Sequence, residues 1–134
     1  MQVERAESLP IAADDDIVRV RQRVRAWAVG LGFSLVDQTK LVTAASELAR
    51  NTLVYGLGGT LTLESLLNET RRGLRLTFQD QGPGIPDIPQ ALRDGYTTGN
   101  GLGLGLSGAK RLSHDFELSS RPGEGTRVMI ARWK

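Results

Sequence analysis

The chain has 134 residues, a length that allows one domain with a substantial core but not two such domains. Its 17 basic and 15 acidic residues give a net charge of +2, so no general attraction for nucleic acid is expected. There is no cysteine, which excludes disulfides and thiolate metal sites. The N-terminus has no apolar leader and no stretch approaches about 18 apolar residues, so we expect a cytoplasmic protein without a membrane segment.

The N-terminal part is predicted to form a strand followed by a helix. Residues 2–11 are expected to be the strand, and the three aspartates at 14–16 to supply an N-cap and a negative first turn. Alternation with period two would also allow a strand after them. The steps of three and four that join Ile17, Val20, Val24, Trp27 and Leu31 favour a helix, which is expected to end at Gly30 or Gly32. Arginines between residues 19 and 25 lie off this stripe, as on a solvated helix face.

A second helix is predicted from about residue 35 to residue 55. Ser34 followed by Asp37 resembles a capping box. The packing stripe is expected to comprise Leu41, Ala44, Ala45, Leu48 and Thr52. Glu47 and Asn51 are four residues apart, so they stack on one helix face beside that stripe. Alone, they would be interpreted as an ordinary solvent-facing polar pair.

Two antiparallel strands then lead to an acid on an apolar face. Residues 60–68 alternate in polarity, and residues 71–73 are predicted to form the hairpin loop into the next strand. In that strand Leu74, Leu76 and Phe78 alternate with polar residues, which places Asp80 on the core side. A carboxylate there is costly unless a partner meets it.

Gly82 and Gly84 follow Asp80 directly, with Pro83 and Pro86 beside them. The prolines fix the turn, and the glycines lack the Cβ atom that would keep a ligand away from the backbone. A buried acid beside bare backbone suits a flat ligand with a hydrogen-bond donor at its edge. The exocyclic amine of adenine is such a donor.

Residues 88–93 are predicted to form one helical turn, and residues 94–100 a movable loop that could serve as a lid. The run Gly-Leu-Gly-Leu-Gly-Leu at 101–106 then opens a helix, so free N–H groups and the positive end of the helix dipole could meet an anion. The pattern fits neither a Walker loop nor a dinucleotide-binding turn. By itself it is equally compatible with a tightly packed helix entry.

The chain is predicted to finish as a hairpin, with strands at 116–120 and 126–132 around a turn at 122–125. His114 is the only histidine and stands in a loop-like stretch without a metal partner, so no role is assigned to it.

The order of these motifs resembles the GHKL ATP-binding fold of histidine-kinase catalytic domains, gyrase and Hsp90. Glu47 to Asn51 is similar to its N box, Asp80 to Gly84 to its first glycine box, and Gly101 to Gly105 to its second. The resemblance covers nearly the whole chain. It implies a single ATP-binding domain over residues 1–134, built as a two-layer α/β sandwich with helices on one face of a mixed, mostly antiparallel sheet.

Three short sequence segments indicate a more specific resemblance within this fold. Ser-Glu-Leu-Ala-Arg-Asn at 46–51, Asp-Gln-Gly-Pro-Gly-Ile-Pro-Asp at 80–87 and the glycine–leucine run at 101–106 are similar to the single-domain anti-sigma-factor serine/threonine kinases, most of all to the RsbT type of stressosome switch kinase. This resemblance implies ATP as a substrate and a STAS-type antagonist protein as the phosphorylated partner. A phosphatase that the kinase activates, or a sigma factor, is a further possible partner.

The resemblance also implies roles for single residues. Asn51 would supply an oxygen to Mg²⁺, and Glu47 would accept the proton of the incoming hydroxyl. Asp80 would accept from the adenine amine, and Thr126 would meet the adenine through a water. The remaining nucleotide-binding positions are Gly82, Gly84, Ile85, Gly101, Leu102, Gly103, Leu104, Gly105 and Leu106.

Three other functions fit parts of the sequence less well than a kinase. A detached histidine-kinase domain would need a helix pair with a phosphoacceptor histidine, and His114 follows the second glycine box. A nucleotide-gated anti-sigma binding module would need Asn51 but no base, so Glu47 favours catalysis. A DNA-binding protein that uses the arginines at 19–25 is disfavoured because the charge is near neutral and no reading motif is present.

Overall fold

The computed structural model describes residues 1–85 and 105–134, which form a five-stranded sheet and the helices that pack on one of its faces. The strands are β1 (Gln2–Ile11), β2 (Gly59–Asn68), β3 (Arg71–Asp80), β4 (Asp115–Arg121) and β5 (Gly125–Trp133). The helices are α1 (Asp14–Gly30), α2 (Leu35–Val54) and α3 (Gly105–Arg111). The predicted strand–helix–helix–hairpin order and the C-terminal hairpin are confirmed.

The strands lie in the order β1-β2-β3-β5-β4, and each described pair of neighbours is antiparallel. The predicted two-layer α/β sandwich is confirmed, but a mixed sheet is not found among the described strands. The reason is the position of β5, which returns between β3 and β4 and runs opposite to both.

The core lies between the sheet and the two long helices. Inward residues of β2 and β3, such as Leu61, Leu63, Leu76 and Phe78, pack with the buried stripes of α1 and α2. The stripe predicted for α2 is buried as expected, from Leu41 to Thr52. Burial of each of these leucine side chains contributes about 1.5–3 kcal/mol to the stability of the fold.

The start of α1 differs in detail from the prediction. Ala13 is the N-cap, and the aspartates form the first turn instead. The Asp16 carboxylate reaches back and accepts from the backbone N–H groups of Ala12 (2.8 Å) and Ala13 (3.1 Å). Asp16, at position N3, therefore supplies the half of a capping box that accepts from the N-cap backbone, while Ala13 has no side-chain oxygen to supply the other half. The expected end of the helix at Gly30 is confirmed.

The hairpin between β2 and β3 is tighter than predicted. Its turn consists of Glu69 and Thr70, and the ladder already pairs Arg71 with Asn68. Residues 71–73 therefore belong to β3 and not to a loop. Gly73 serves packing instead, because a Cβ atom there would come within 2.7 Å of the Trp133 ring.

His114 has a structural role in the described part of the chain. Its Nδ1 atom accepts the backbone N–H of Trp133 at 2.8 Å. Burial and the nearby Arg132 lower the pKa of His114, which favours the neutral ring that this hydrogen bond requires.

The predicted helical turn at 88–93 and the predicted lid at 94–100 lie outside the described residues. Within the described ranges, no helix combines the length and apolar character needed to cross a membrane.

Candidate active site

Asp80, the last residue of β3, is only 7% exposed, as the alternation of its strand predicts. Its Oδ1 atom accepts two backbone hydrogen bonds, from Gly82 at 2.9 Å and from Thr126 at 3.2 Å. The Oδ2 atom has no hydrogen-bond partner within residues 1–85 and 105–134. One carboxylate oxygen is therefore fixed by the backbone, and the other remains available to a donor.

Gly56 brings the end of α2 against this carboxylate. Its backbone N–H donates to the carbonyl of Asn51 at 3.1 Å, and a Cβ atom on Gly56 would overlap Cγ and Oδ2 of Asp80. Only glycine fits this approach without displacing the acid. Sequence reasoning did not single out Gly56, because nothing near it in the chain points to Asp80.

The glycines after Asp80 serve contacts within the protein. A Cβ atom on Gly82 would lie 2.8 Å from the Cα and carbonyl oxygen of Gly56, and one on Gly84 would overlap the carbonyl of Arg121. Close approach of neighbouring chain segments is therefore one reason for these glycines, and the expected open backbone for a ligand stays a prediction. Gly125 likewise lies against the carbonyl of Asp80.

Three residues join this glycine segment to the C-terminal hairpin. The Ile85 N–H donates to Oγ of Ser120 at 2.7 Å. Ser120 Oγ also shares a hydrogen bond of 2.9 Å with Oγ1 of Thr126. Ile85 is thus linked through Ser120 to Thr126, whose own N–H donates to Asp80. Ser120 was missed, since it lies in an alternating strand without a motif of its own.

Glu47 and Asn51 both lie half-buried on α2. The Asn51 Nδ2 atom is 4.0 Å from the position that a Cβ atom on Gly105 would take, so Asn51 borders the start of α3. Through its carbonyl, Asn51 also accepts from Gly56, the residue that packs against the Asp80 carboxylate. The structure brings Asn51, Gly56 and Asp80 together at one end of the sheet.

The glycine–leucine run is described only in part. Residues 101–104 lie outside the described residues. Gly105 begins α3, and the side chain of Leu106 is buried in the hydrophobic core. Leu106 can therefore offer a ligand its backbone but not its side chain.

Comparison with known proteins gives matches over most of the chain. The family described as histidine kinase-, DNA gyrase B- and HSP90-like ATPase matches residues 29–134. Serine/threonine-protein kinase RsbT of Bacillus subtilis is 46% identical over 123 residues, which are 92% of this chain and 92% of that protein. Anti-sigma F factor of Thermoanaerobacter sp. (strain X514) is 27% identical over 84% of this chain and 82% of its own length.

Solved structures share the fold at low sequence identity. The RsbU and RsbW domains of a Mycobacterium tuberculosis protein give a TM-score of 0.67 at 18% identity, covering 97% of this chain and 33% of that one. The SiaB–SiaC complex of Pseudomonas aeruginosa gives a TM-score of 0.54 at 16% identity, covering 98% of this chain and 91% of that one. At such low sequence identity, these two comparisons show a shared fold and nothing more.

Proposed function

The chain belongs to the histidine kinase-, DNA gyrase B- and HSP90-like ATPase family and, within it, to the RsbT type of serine/threonine kinase; we propose that it transfers the γ-phosphate of ATP to a serine or threonine of a STAS-type antagonist protein. The observation that carries the proposal is the Asp80 carboxylate, fixed through Oδ1 and open at Oδ2, in a chain this similar to a kinase. In this function the protein acts in the cytoplasm as a partner-switching regulator of stress signalling, as part of a stressosome.

Asp80 reads the adenine in this proposal. Oδ2 accepts from the exocyclic amine, while the two backbone hydrogen bonds to Oδ1 hold the carboxylate in place. Guanine carries a carbonyl at the same ring position, which would face the carboxylate with no proton between them. The site therefore distinguishes ATP from GTP. In the same proposal Thr126, whose N–H donates to Asp80, contacts the adenine ring through a water.

Asn51 is the residue that would hold Mg²⁺. Its side-chain oxygen is a hard ligand of the kind Mg²⁺ prefers, and it borders the start of α3. Among the described residues, no group of three or more acidic or histidine side chains is arranged around a metal. That fits an ion which takes most of its ligands from phosphate and water. When bound, the ion neutralises charge on the phosphates during transfer.

Glu47 acts as the base. It lies one helical turn before Asn51, so both side chains project from the same face of α2. The acceptor hydroxyl attacks the γ-phosphorus, the bond from that phosphorus to the bridging oxygen breaks, and ADP leaves. Glu47 takes the proton of the hydroxyl. Backbone N–H groups between Gly101 and Leu106 are proposed to hold the phosphates, as the resemblance implies.

The experiment that tests this function is transfer of label from γ-labelled ATP to a STAS-type antagonist protein, with binding measured alongside. We expect labelling of the antagonist on serine or threonine, which acid hydrolysis and phosphoamino-acid separation identify. If the protein binds ATP and the antagonist but never labels it, kinase activity is not its function.

A second function is favoured by the anti-sigma F factor relatives, which match 84% of the chain at 27% identity. In it, the protein would sequester a sigma factor, or activate a phosphatase, in a nucleotide-dependent way. Pull-down from native lysate with ATP and again with ADP distinguishes these partners. A sigma factor retained by either nucleotide form would favour sequestration, and a phosphatase would favour activation.

A further inference from the structure

A second pocket lies between α1, β1 and β2, far from the Asp80 site. Its volume is about 200 Å³, and its lining includes Arg5, Arg23, Trp27, Gly30, Leu31 and Ser65. Ser65 lies about 20 Å along β2 from Gly59, the residue that pairs with Asp80. The pocket is therefore at the other end of the sheet from the proposed nucleotide site.

Ser65 gives this pocket a polar wall. The residue is 4% exposed, and its hydroxyl has no hydrogen-bond partner among residues 1–85 and 105–134. It faces the helices, in line with the core residues Leu61 and Leu63. The hydroxyl lines the cavity and is reached by solvent there, so it is free to donate to a polar occupant.

Arg5 gives the pocket an available positive charge. Its guanidinium lies over the Trp27 ring, 4.5 Å from the ring centroid, and forms no ion pair within the described part of the chain. This cation–π contact with the indole holds the guanidinium, and its N–H groups remain free to donate. Trp27 itself is almost fully buried, so the platform for Arg5 is fixed.

The other arginine of the pocket is already neutralised. Arg23 binds Glu7 through two hydrogen bonds, Nη2 to Oε1 at 2.7 Å and Nε to Oε2 at 3.2 Å. Trp27 Nε1 donates to the same carboxylate at 2.8 Å. Hydrogen bonds from Arg23 and Trp27 lower the pKa of Glu7, so the carboxylate stays ionised and balances Arg23. The charge of Arg5 also lowers the pKa of Glu7, so the two arginines and one carboxylate together leave a single net positive charge.

We propose that this pocket binds a small oxyanion, the carboxylate or phosphate group of a molecule smaller than a nucleotide. Arg5 supplies paired N–H donors and charge, and the Ser65 hydroxyl supplies a further donor. A volume of about 200 Å³ is below the roughly 300–1,000 Å³ of pockets for drug-sized ligands. Nothing lies within 4 Å of a Cβ atom built on Gly30, so the pocket is open to solvent beside that residue.

The test follows the two indole N–H signals of the isotope-labelled protein by NMR, with ADP at saturation to occupy the nucleotide site. Sodium phosphate and sodium acetate are titrated separately, with chloride balancing the ionic strength. We expect at least one anion to shift the Trp27 signal along a saturable curve while the signal of Trp133, the other tryptophan, stays in place. Saturation by phosphate alone or by acetate alone tells which group the pocket takes.

Two variants link binding to the proposed residues. Arg5→Gln should weaken the anion about tenfold or more, and Ser65→Ala a few-fold. Arg21→Gln is the matched control, because Arg21 is an exposed arginine of α1 that does not line the pocket. Ser65→Ala should fold about as stably as the natural protein in the absence of anion, since no hydrogen bond to the described residues is lost.

The proposal is overturned if neither anion gives a saturable shift, or if both indole signals move together as in a general salt effect. It is equally overturned if Arg5→Gln and Ser65→Ala bind the anion as the natural protein does. A drop in affinity that Arg21→Gln shares would mean that net charge alone, without a site, attracts the anion.

Discussion

The backbone N–H of Thr126 donates to Oδ1 of Asp80 at 3.2 Å, so the second residue of β5 fixes the carboxylate that ends β3. Gly82 donates to the same oxygen from the other side. The hydrogen bonds that hold Asp80 thus come from the backbone and end on Oδ1. Oδ2 is the oxygen that can accept a hydrogen bond from a ligand. Because the two oxygens have different roles, a substitution at Asp80 can remove the ligand contact without removing the backbone hydrogen bonds.

Asp80→Asn should weaken ATP binding at least about tenfold while the fold remains intact. The amide oxygen can keep the two backbone hydrogen bonds, but the NH₂ group would then face the adenine amine with a donor. A hydrogen bond to a charged group is worth about 1.5–3 kcal/mol, which sets the expected loss. Titration calorimetry measures it. Equal affinity of the natural protein for ATP and GTP would show that Asp80 does not read adenine.

Gly56→Ala should weaken ATP binding as well, although Gly56 has no side chain to contact the nucleotide. The new methyl group would overlap the Asp80 carboxylate and force it to move. We expect a loss of stability of about 1–3 kcal/mol, the usual cost of overpacking, and a loss of nucleotide affinity. Gly30→Ala is the matched control, because its methyl group would enter open space. Equal ATP affinity in both variants would contradict the close packing of Gly56 on Asp80.

Glu47→Ala should separate catalysis from binding. ATP should bind with unchanged or slightly higher affinity, because one negative charge near the phosphates is removed. Label transfer to the antagonist should fall by about 10²–10⁴, the usual contribution of general acid–base help. A smaller loss is compatible with a loose, metaphosphate-like transition state that needs little help from a base. Transfer at the natural rate would exclude Glu47 as the base.

Asn51→Ala should affect nucleotide binding as well as transfer, unlike Glu47→Ala, although the two residues share a helix face. Loss of the proposed metal ligand should reduce Mg²⁺-dependent nucleotide binding and label transfer together. Nucleotide binding measured with Mg²⁺ and with EDTA isolates the metal-dependent part. Were the difference between these two conditions the same as in the natural protein, Asn51 would not be the ligand.

Glu7→Gln should make the protein less stable at neutral pH but not in acid. Hydrogen bonds from Arg23 and Trp27 lower the pKa of Glu7 below its ordinary value of 4.5. The folded state therefore gains stability above pH 4.5, and this gain is lost as the pH falls through the lowered pKa. Urea unfolding from pH 7 to pH 3 should show the two proteins converging. Glu117→Gln, at an exposed site on β4, should run parallel to the natural protein throughout.

Local patterns in the sequence predicted most of the elements. Alternation around Phe78 placed Asp80 on the core side of its strand, and steps of three and four identified both long helices, because burial on one face dictates these periods. The hairpin before β3 was misplaced since Gly73 looks like a turn residue. Its true neighbour is the ring of Trp133, at the far end of the chain, and no local pattern reveals such a contact.

The candidate site was predictable to the same extent. Asp80 and Asn51 stand in recognisable runs, and both lie at one end of the sheet. Gly56 and Ser120 were missed, because the first acts by approaching Asp80 and the second by joining Ile85 to Thr126. Their importance depends on distances between segments remote in sequence, which composition and spacing do not contain.

The place of β5 between β3 and β4 has a consequence for synthesis on the ribosome. When β3 has left the exit tunnel, Asp80 lacks the Thr126 hydrogen bond and one whole side of its strand is unpaired. β5 must pair with β3 before the Asp80 carboxylate is fixed. Pairings between strands this distant in the sequence form slowly. Capture on an ATP matrix should therefore select chains in which β5 has joined the sheet over chains in which it has not, which makes nucleotide binding a marker of the completed sheet.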